Sequence, residues 1–249
     1  MFIKNKYTNM SDDTVLWRYM SFSKFQNLLD SSALYFCRID SFEDQLEATQ
    51  PRGAHTFAVL TENPWQVFTM QCVDKQLEIY RNMTFANCWH INPHENPKMW
   101  TNYVTLHGNE GVAIQTTFSS LADSFETDRV LTNLKMKYID YSTEYMDYSY
   151  PNYPEYLSVK DLKYAYENEM RIITLEKTYP EFDPDEMSIL DNIEIFTHKG
   201  ELVSVNTKKL IQKIYLSPNS TERFRHIIEQ LLQKYGIEAP IIKSLTNTY

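Results

Sequence analysis

Glu167 and Glu169, followed at the same spacing by Arg171, are the densest group of chemistry-bearing side chains in the sequence. In a β-strand alternate side chains share a face, so these three would line one side. Tyr166, Met170 and Ile172 would then point the other way, into a core. Two carboxylates so placed lie about 6–7 Å apart. Such a like-charge pair raises one pKa and leaves the other group ionised, as acid–base work or stabilisation of a developing cation requires. The same pattern also fits a solvated strand face with cross-strand ion pairs.

Arg18 lies between Trp17 and Tyr19. A guanidinium there can take a phosphate or carboxylate bidentately, or can lie along a strand with its stem against the rings. Trp100, Tyr103 and His107 fall at i, i+3 and i+7, one face of a helix that would stack a planar ring or simply fill a core. Asp40, Glu43, Asp44 and Glu47 share one face if their segment is helical, either a divalent-cation site of the kind a metal-dependent nuclease uses or a solvated helix face. His90 and His94 straddle Pro93 without a third ligand, so no metal is expected there.

The elements that must position these groups follow from hydrophobic spacing. Residues 14–20 read as a strand, 21–32 as a helix carrying Phe22, Phe25, Leu28 and Leu29, and 33–38 as a second strand. Helix is expected over 65–82, strand over 85–90, a short helix over 99–107 stopped near Gly108, and strands over 111–118 and 130–141. A helical turn over 159–165 leads into a strand at 166–175, and further strands follow near 193–197, 201–205 and 213–217. A C-terminal amphipathic helix, 220–235, carries Phe224, Ile227, Ile228, Leu231, Leu232 and Tyr235; a capping box of Asn219 with Glu222 opens it and Gly236 stops it. Residues 1–13 read as a loose start, and 142–158, rich in Tyr and Pro, as a surface segment near the acceptor side. Strands scattered among short helices, with no regular βαβ alternation, predict a single α+β domain over 1–249.

The 249 residues are 43% hydrophobic and 14% aromatic, enough for a sizeable core and unlike a disordered chain. A net charge of −9 argues against broad, sequence-independent nucleic-acid binding. Three cysteines at unhelpful spacing suit a reducing compartment rather than a disulfide framework. Five glycines build neither a dinucleotide-binding fingerprint nor a P-loop. With no signal-peptide-like start and no apolar run of membrane-spanning length, the expectation is a cytoplasmic protein without a membrane partner.

Taken in order, the motifs resemble a widespread bacterial family catalogued as a domain of unknown function. They are WRYMS (17–21), LYFCRIDSFEDQLE (34–47), MWTNYVTLHGNEGVAIQ (99–115) and YAYENEMRI (164–172), and the resemblance spans about residues 14–217. Tyr164-Ala165-Tyr166 departs from it where a Trp is common two residues before the first Glu. The layout is also similar to the ADP-ribosyltransferase superfamily, although the Ser-Thr-Ser strand motif of its arginine-specific members is not visible. The resemblance implies a split or highly curved mixed sheet flanked by short helices, with NAD as substrate and no metal. It implies Glu169 as the catalytic glutamate, Glu167 as the residue that places or activates the acceptor, and Arg18, Tyr19, Trp100, Tyr103 and Arg171 as NAD-binding residues. It also implies a macromolecular acceptor, protein or nucleic acid, and a toxin or effector role in bacterial antiphage defence beside a partner protein. The alternatives are a metal-dependent nuclease using carboxylates of 40–47 and 167–169, and a non-enzymatic sensor or antitoxin-type binding module.

Overall fold

The computed structural model describes residues 1–5, 8, 10–51, 64–108, 110–144, 156–176 and 198–246. The first half runs β1 (Phe2–Ile3), β2 (Val15–Ser21), α1 (Phe22–Ser31), β3 (Ala33–Arg38), α2 (Pro64–Met83), β4 (Thr84–Ile91), α3 (Pro97–Tyr103), β5 (Gly111–Thr117) and α4 (Phe118–Ser124). The second half runs β6 (Leu131–Lys135), β7 (Lys137–Ile139), β8 (Val159–Asp161), β9 (Glu169–Leu175), β10 (Gly200–Ser204), α5 (Thr207–Leu210), β11 (Lys213–Leu216), α6 (Glu222–Tyr235) and β12 (Ile241–Lys243). The fold is a mixed α+β domain.

One mixed sheet holds ten strands in the order β1-β6-β9-β4-β2-β5-β11-β12, with β3 and β10 off that path. It is parallel only at its two ends, β1 with β6 and β11 with β12. Those ends do not pair with each other among the described residues, so the sheet is not curled closed. The sheet branches instead. One edge of β4 pairs with β3 at Phe85 and Ala86 and with β2 at His90 and Ile91. Between these contacts Asn87, Cys88 and Trp89 have no strand partner on that side, because β2 and β3 are separate branches joined only through α1.

Strand alternation assigns the two faces. The apolar face carries Leu16 and Met20 of β2, Val112 and Ile114 of β5, and Met170 and Ile172 of β9. Phe25, Leu28 and Leu29 of α1 and Phe224, Ile228 and Leu232 of α6 cover it. The opposite face carries Trp17 and Tyr19, packed with Met99 and Trp100 of α3. The cap of α6 is Thr221, whose hydroxyl accepts from Phe224 N–H at 3.1 Å, and not the expected Asn219 box. Gly236, at φ 61°, ends the helix as expected.

Other expectations change. The acidic run is not a helix: Ile39–Ser41 forms a short 3-10 turn and irregular turns follow, so its carboxylates do not share one face. Asp40 pairs with Arg38, while Asp44 and Glu47 are buried. The 130–141 strand is two, β6 and β7, and β7 pairs with β8, which replaces the start of the turn expected at 159–165. Of the Tyr-rich segment, 145–155 lies outside the described residues, as does 193–197; Tyr156, Leu157 and Ser158 are buried rather than on the surface. Tyr156 packs with Val73 and Leu77 of α2, which explains its burial. No helix among the described residues is long and apolar enough to cross a membrane.

Candidate functional site

A cavity of about 780 Å³ opens where the sheet branches. Its walls come from α1, both branches and β4, and its far end from Tyr103, Glu167 and Glu169. A volume of this size suits a small-molecule ligand. Arg18 stands at the branch point. Its Nη1 donates to the Cys88 carbonyl at 2.6 Å, an acceptor that the missing ladder leaves open, and its guanidinium lies 5.8 Å from the Trp89 ring. No carboxylate among the described residues pairs with it. Burial lowers its pKa, while Cys88, Tyr103 and Glu169 act in the opposite direction.

Register places Arg18 with Leu16 and Met20 on the apolar face, whereas Glu169, opposite His90, belongs to the other face. Arg18 and Glu169 therefore project from opposite faces of the sheet. They line one cavity only because the gap between β2 and β3 connects the two sides.

The carboxylate end is built from five charged side chains. Glu169 and Arg171 are alternate residues of β9 and share a face. Glu167 is not on that strand. It closes the 3-10 turn Leu162–Glu167, and Asn168, left-handed at φ 37°, turns the chain between the two glutamates. Asn168 is held by Ile91, whose N–H donates to its carbonyl at 2.9 Å and whose carbonyl accepts from its Nδ2 at 2.6 Å. A small polar residue tolerates this backbone region better than a branched one.

Lys160 of β8 joins the carboxylates. Its ammonium lies 2.5 Å from Glu167 Oε2, 3.0 Å from Glu169 Oε2 and 3.2 Å from Glu47 Oε1. Arg171 Nε bonds Glu169 Oε1 at 2.6 Å, and Arg171 also pairs with Glu47. The Tyr103 hydroxyl donates to Glu167 Oε1 at 2.8 Å, and Glu169 N–H donates to the Tyr138 hydroxyl at 2.7 Å.

Two cations face three carboxylates here, and the imbalance falls on Glu167. Burial raises its pKa; Lys160 opposes the rise and Glu169 adds to it, leaving the group above its ordinary value. Burial would raise Glu169 too, but Arg171 and Lys160 outweigh it and hold that carboxylate well below its usual range. One glutamate is thus held as an anion while the pKa of its neighbour is raised.

Of the residues expected in the site, Arg18, Tyr19, Tyr103, Glu167 and Glu169 line the cavity. Trp100 and Arg171 do not. Trp100 is fully buried under α3, its indole N–H bonded to Glu95 at 2.9 Å. Arg171 is enclosed by its carboxylate partners and the Phe42 ring. Both are held away from any ligand by neighbours that the spacing of their own segments does not reveal. Lys160 and Tyr138 are not marked by the sequence, whereas Glu47 is expected only with the acidic run and His90 only as half of a histidine pair. The three converging carboxylates meet at an ammonium, and no three His, Cys, Asp or Glu side chains among the described residues are set to hold a metal ion.

Compared with known proteins, the chain matches no family model, no curated protein and no solved structure.

Proposed function

We propose that this chain binds NAD in the branch-point cavity and transfers its ADP-ribose to an acceptor. One observation carries the reading: a guanidinium with no carboxylate partner among the described residues, an aromatic ring and two glutamates of opposite pKa shift line the same cavity. Arg18 would hold the phosphates. Tyr103 would stack the nicotinamide ring. As the ribose–nicotinamide C–N bond breaks, its electron pair leaves with nicotinamide and C1′ becomes cationic, as in glycoside cleavage. Glu169, kept ionised, would oppose that charge. Glu167 would take the proton that the acceptor loses on attacking C1′. The resemblance in the motifs adds a setting, a toxin or effector in bacterial antiphage defence.

A second reading, a binding module without catalysis, takes support from the same network. Both Glu169 oxygens already accept from Arg171 or Lys160, and both Glu167 oxygens from Tyr103 or Lys160. Incubation with NAD, with and without cell lysate, separates the two by mass spectrometry. Release of nicotinamide reduced about 100-fold or more in Glu169→Gln at equal folded fraction, with Glu167→Gln impairing transfer to the acceptor more than NAD hydrolysis, is expected for the transferase. NAD binding with no release would leave the binding module.

A further inference from the structure

We infer that Tyr35 stacks the adenine ring of NAD, so that the dinucleotide lies across β4 with its two rings on opposite sides of that strand. The inference rests on the NAD reading above and goes beyond it by assigning the adenine end, which that reading leaves without a partner.

Among the tryptophan, tyrosine and phenylalanine rings that line the cavity, Trp17, Tyr19 and Trp89 are buried, and Phe42 is covered by the Arg171 guanidinium 5.0 Å from its centre. Two rings present a large accessible surface there, Tyr103 at 38% and Tyr35 at 47%. The Tyr103 hydroxyl is bonded to Glu167, which ties that ring to the nicotinamide end. Tyr35 is the ring that remains.

Strand geometry aims it. Tyr35 stands two residues before Cys37 on β3; Cys37 pairs with Ala86, and His90, four residues beyond Ala86, pairs with Glu169. Alternation therefore puts Tyr35 on the same face as Glu169, with β4 between them. Two strand spacings, at least about 10 Å, separate the two residues. In the β3–β10 ladder Tyr35 faces Leu202, which is exposed and lines the same cavity. The Tyr35 ring leans over Gly200: a β-carbon there would collide with its hydroxyl and the ring carbon that carries it. Glycine thus lets the ring settle against the sheet, and with Leu202 it forms an apolar shelf. The main chain beneath is held as well, because the Tyr35 carbonyl accepts from Asn87 Nδ2 at 2.8 Å. The next residue of β4, Cys88, is the one whose carbonyl accepts from Arg18. The guanidinium assigned to the phosphates therefore stands between the shelf and the glutamates. An exposed ring beside an aliphatic side chain fits a purine, whose π face needs no hydrogen-bond partner.

The test is a pair of calorimetric titrations, with NAD and with nicotinamide mononucleotide, which lacks the adenine. Tyr35→Ala should weaken NAD about tenfold and leave nicotinamide mononucleotide unchanged. Tyr35→Phe keeps the ring and should stay near wild type. Tyr35→Leu covers Gly200 without a ring face and should weaken NAD in the same direction as Tyr35→Ala, which keeps the test open where the alanine variant fails to fold. NAD affinity within about twofold of wild type in folded Tyr35→Ala or Tyr35→Leu overturns the inference and leaves the NAD reading standing. A loss for nicotinamide mononucleotide as large as that for NAD does the same. Absence of NAD binding in wild type overturns both.

Discussion

Beneath α6 the inward side chains are Phe224, Ile228 and Leu232, set against Leu210, Ile214 and Leu216, and their burial stabilises the fold without any specific partner. At the other end of the sheet, Glu47, Lys160, Glu167, Glu169 and Arg171 are as deeply buried, and each depends on named partners. Buried ion pairs return little more than their desolvation costs, whereas removing one partner strands the other. The apolar end therefore tolerates change in proportion to lost volume, and the charged end fails by unbalanced charge. A cluster that contributes so little net stability is better explained by what it holds in place beside the cavity.

The sharpest test of this contrast compares two large losses. Phe224→Ala should cost about 3–5 kcal/mol through a cavity, and Arg171→Met a similar ~3–5 kcal/mol by leaving Lys160 to face Glu47, Glu167 and Glu169 by itself. Denaturant titrations over a range of pH tell them apart. The Phe224→Ala curve should run parallel to wild type, and the Arg171→Met curve should not. Parallel curves for both would remove the distinction between the two ends.

Next in size are the glutamates. Glu169→Gln should cost about 2–3 kcal/mol, since it weakens charge-assisted bonds to Arg171 and Lys160. The sequence suggests an exposed strand face and hence a neutral substitution, but Glu169 is only 4% exposed. Glu167→Gln should cost less, about 1 kcal/mol, because burial opposes the charge of Glu167 where the partners of Glu169 support its charge. Thermal melts of the pair measure the difference, and equal losses would contradict the assigned imbalance.

The same two residues give stability opposite slopes with pH. Glu167, with its pKa raised above 4.5, contributes stability that is complete below pH 4.5 and is lost as pH rises through the folded value. Glu169, with its pKa lowered from 4.5, contributes stability present above pH 4.5 and lost as pH falls through its folded value. Above pH 4.5, Glu167→Gln should flatten the wild-type decline, while Glu169→Gln should flatten the loss below pH 4.5. A Glu167→Gln profile parallel to wild type above pH 4.5 would refute the assignment.

The smallest effect lies in the regular half. Thr221→Ala removes the cap of α6 and should lower stability by about 1 kcal/mol at every pH, read as a uniform drop in Tm.

The contrast also explains what was legible in the sequence. Phe25, Leu28 and Leu29, or Phe224, Ile228 and Leu232, declare their helices because apolar burial needs only periodicity. Arg18 stood out between two aromatics and Glu169 within a run of charge. Lys160 carried no such mark: it lies on a three-residue strand paired with β7, in a stretch that reads as a helical turn. Glu47 was visible only as one of four acids on a helix that does not form. His90 was visible only as half of a histidine pair, and its place in the cavity wall comes from strand pairing that spacing cannot encode. The branch in the sheet was hidden too, because strand signals report that a segment is extended, not which edge it shares.

The network's distances along the chain have a kinetic consequence. Tyr103 and Glu167 are 64 residues apart, and Glu47 and Arg171 are 124 apart, while Lys160 reaches Glu167 and Glu169 across only 7 and 9. Closing the long loops costs entropy before any charge meets its partner, and a half-formed cluster offers only desolvation. The cluster should therefore close after the main folding barrier. Arg171→Met would then accelerate unfolding by nearly its whole stability loss and leave the refolding rate almost unchanged, a division that stopped-flow measurements resolve. In a folded population the charged end would be the first region to open and the last to re-form, so its amides should exchange with solvent ahead of those beneath α6.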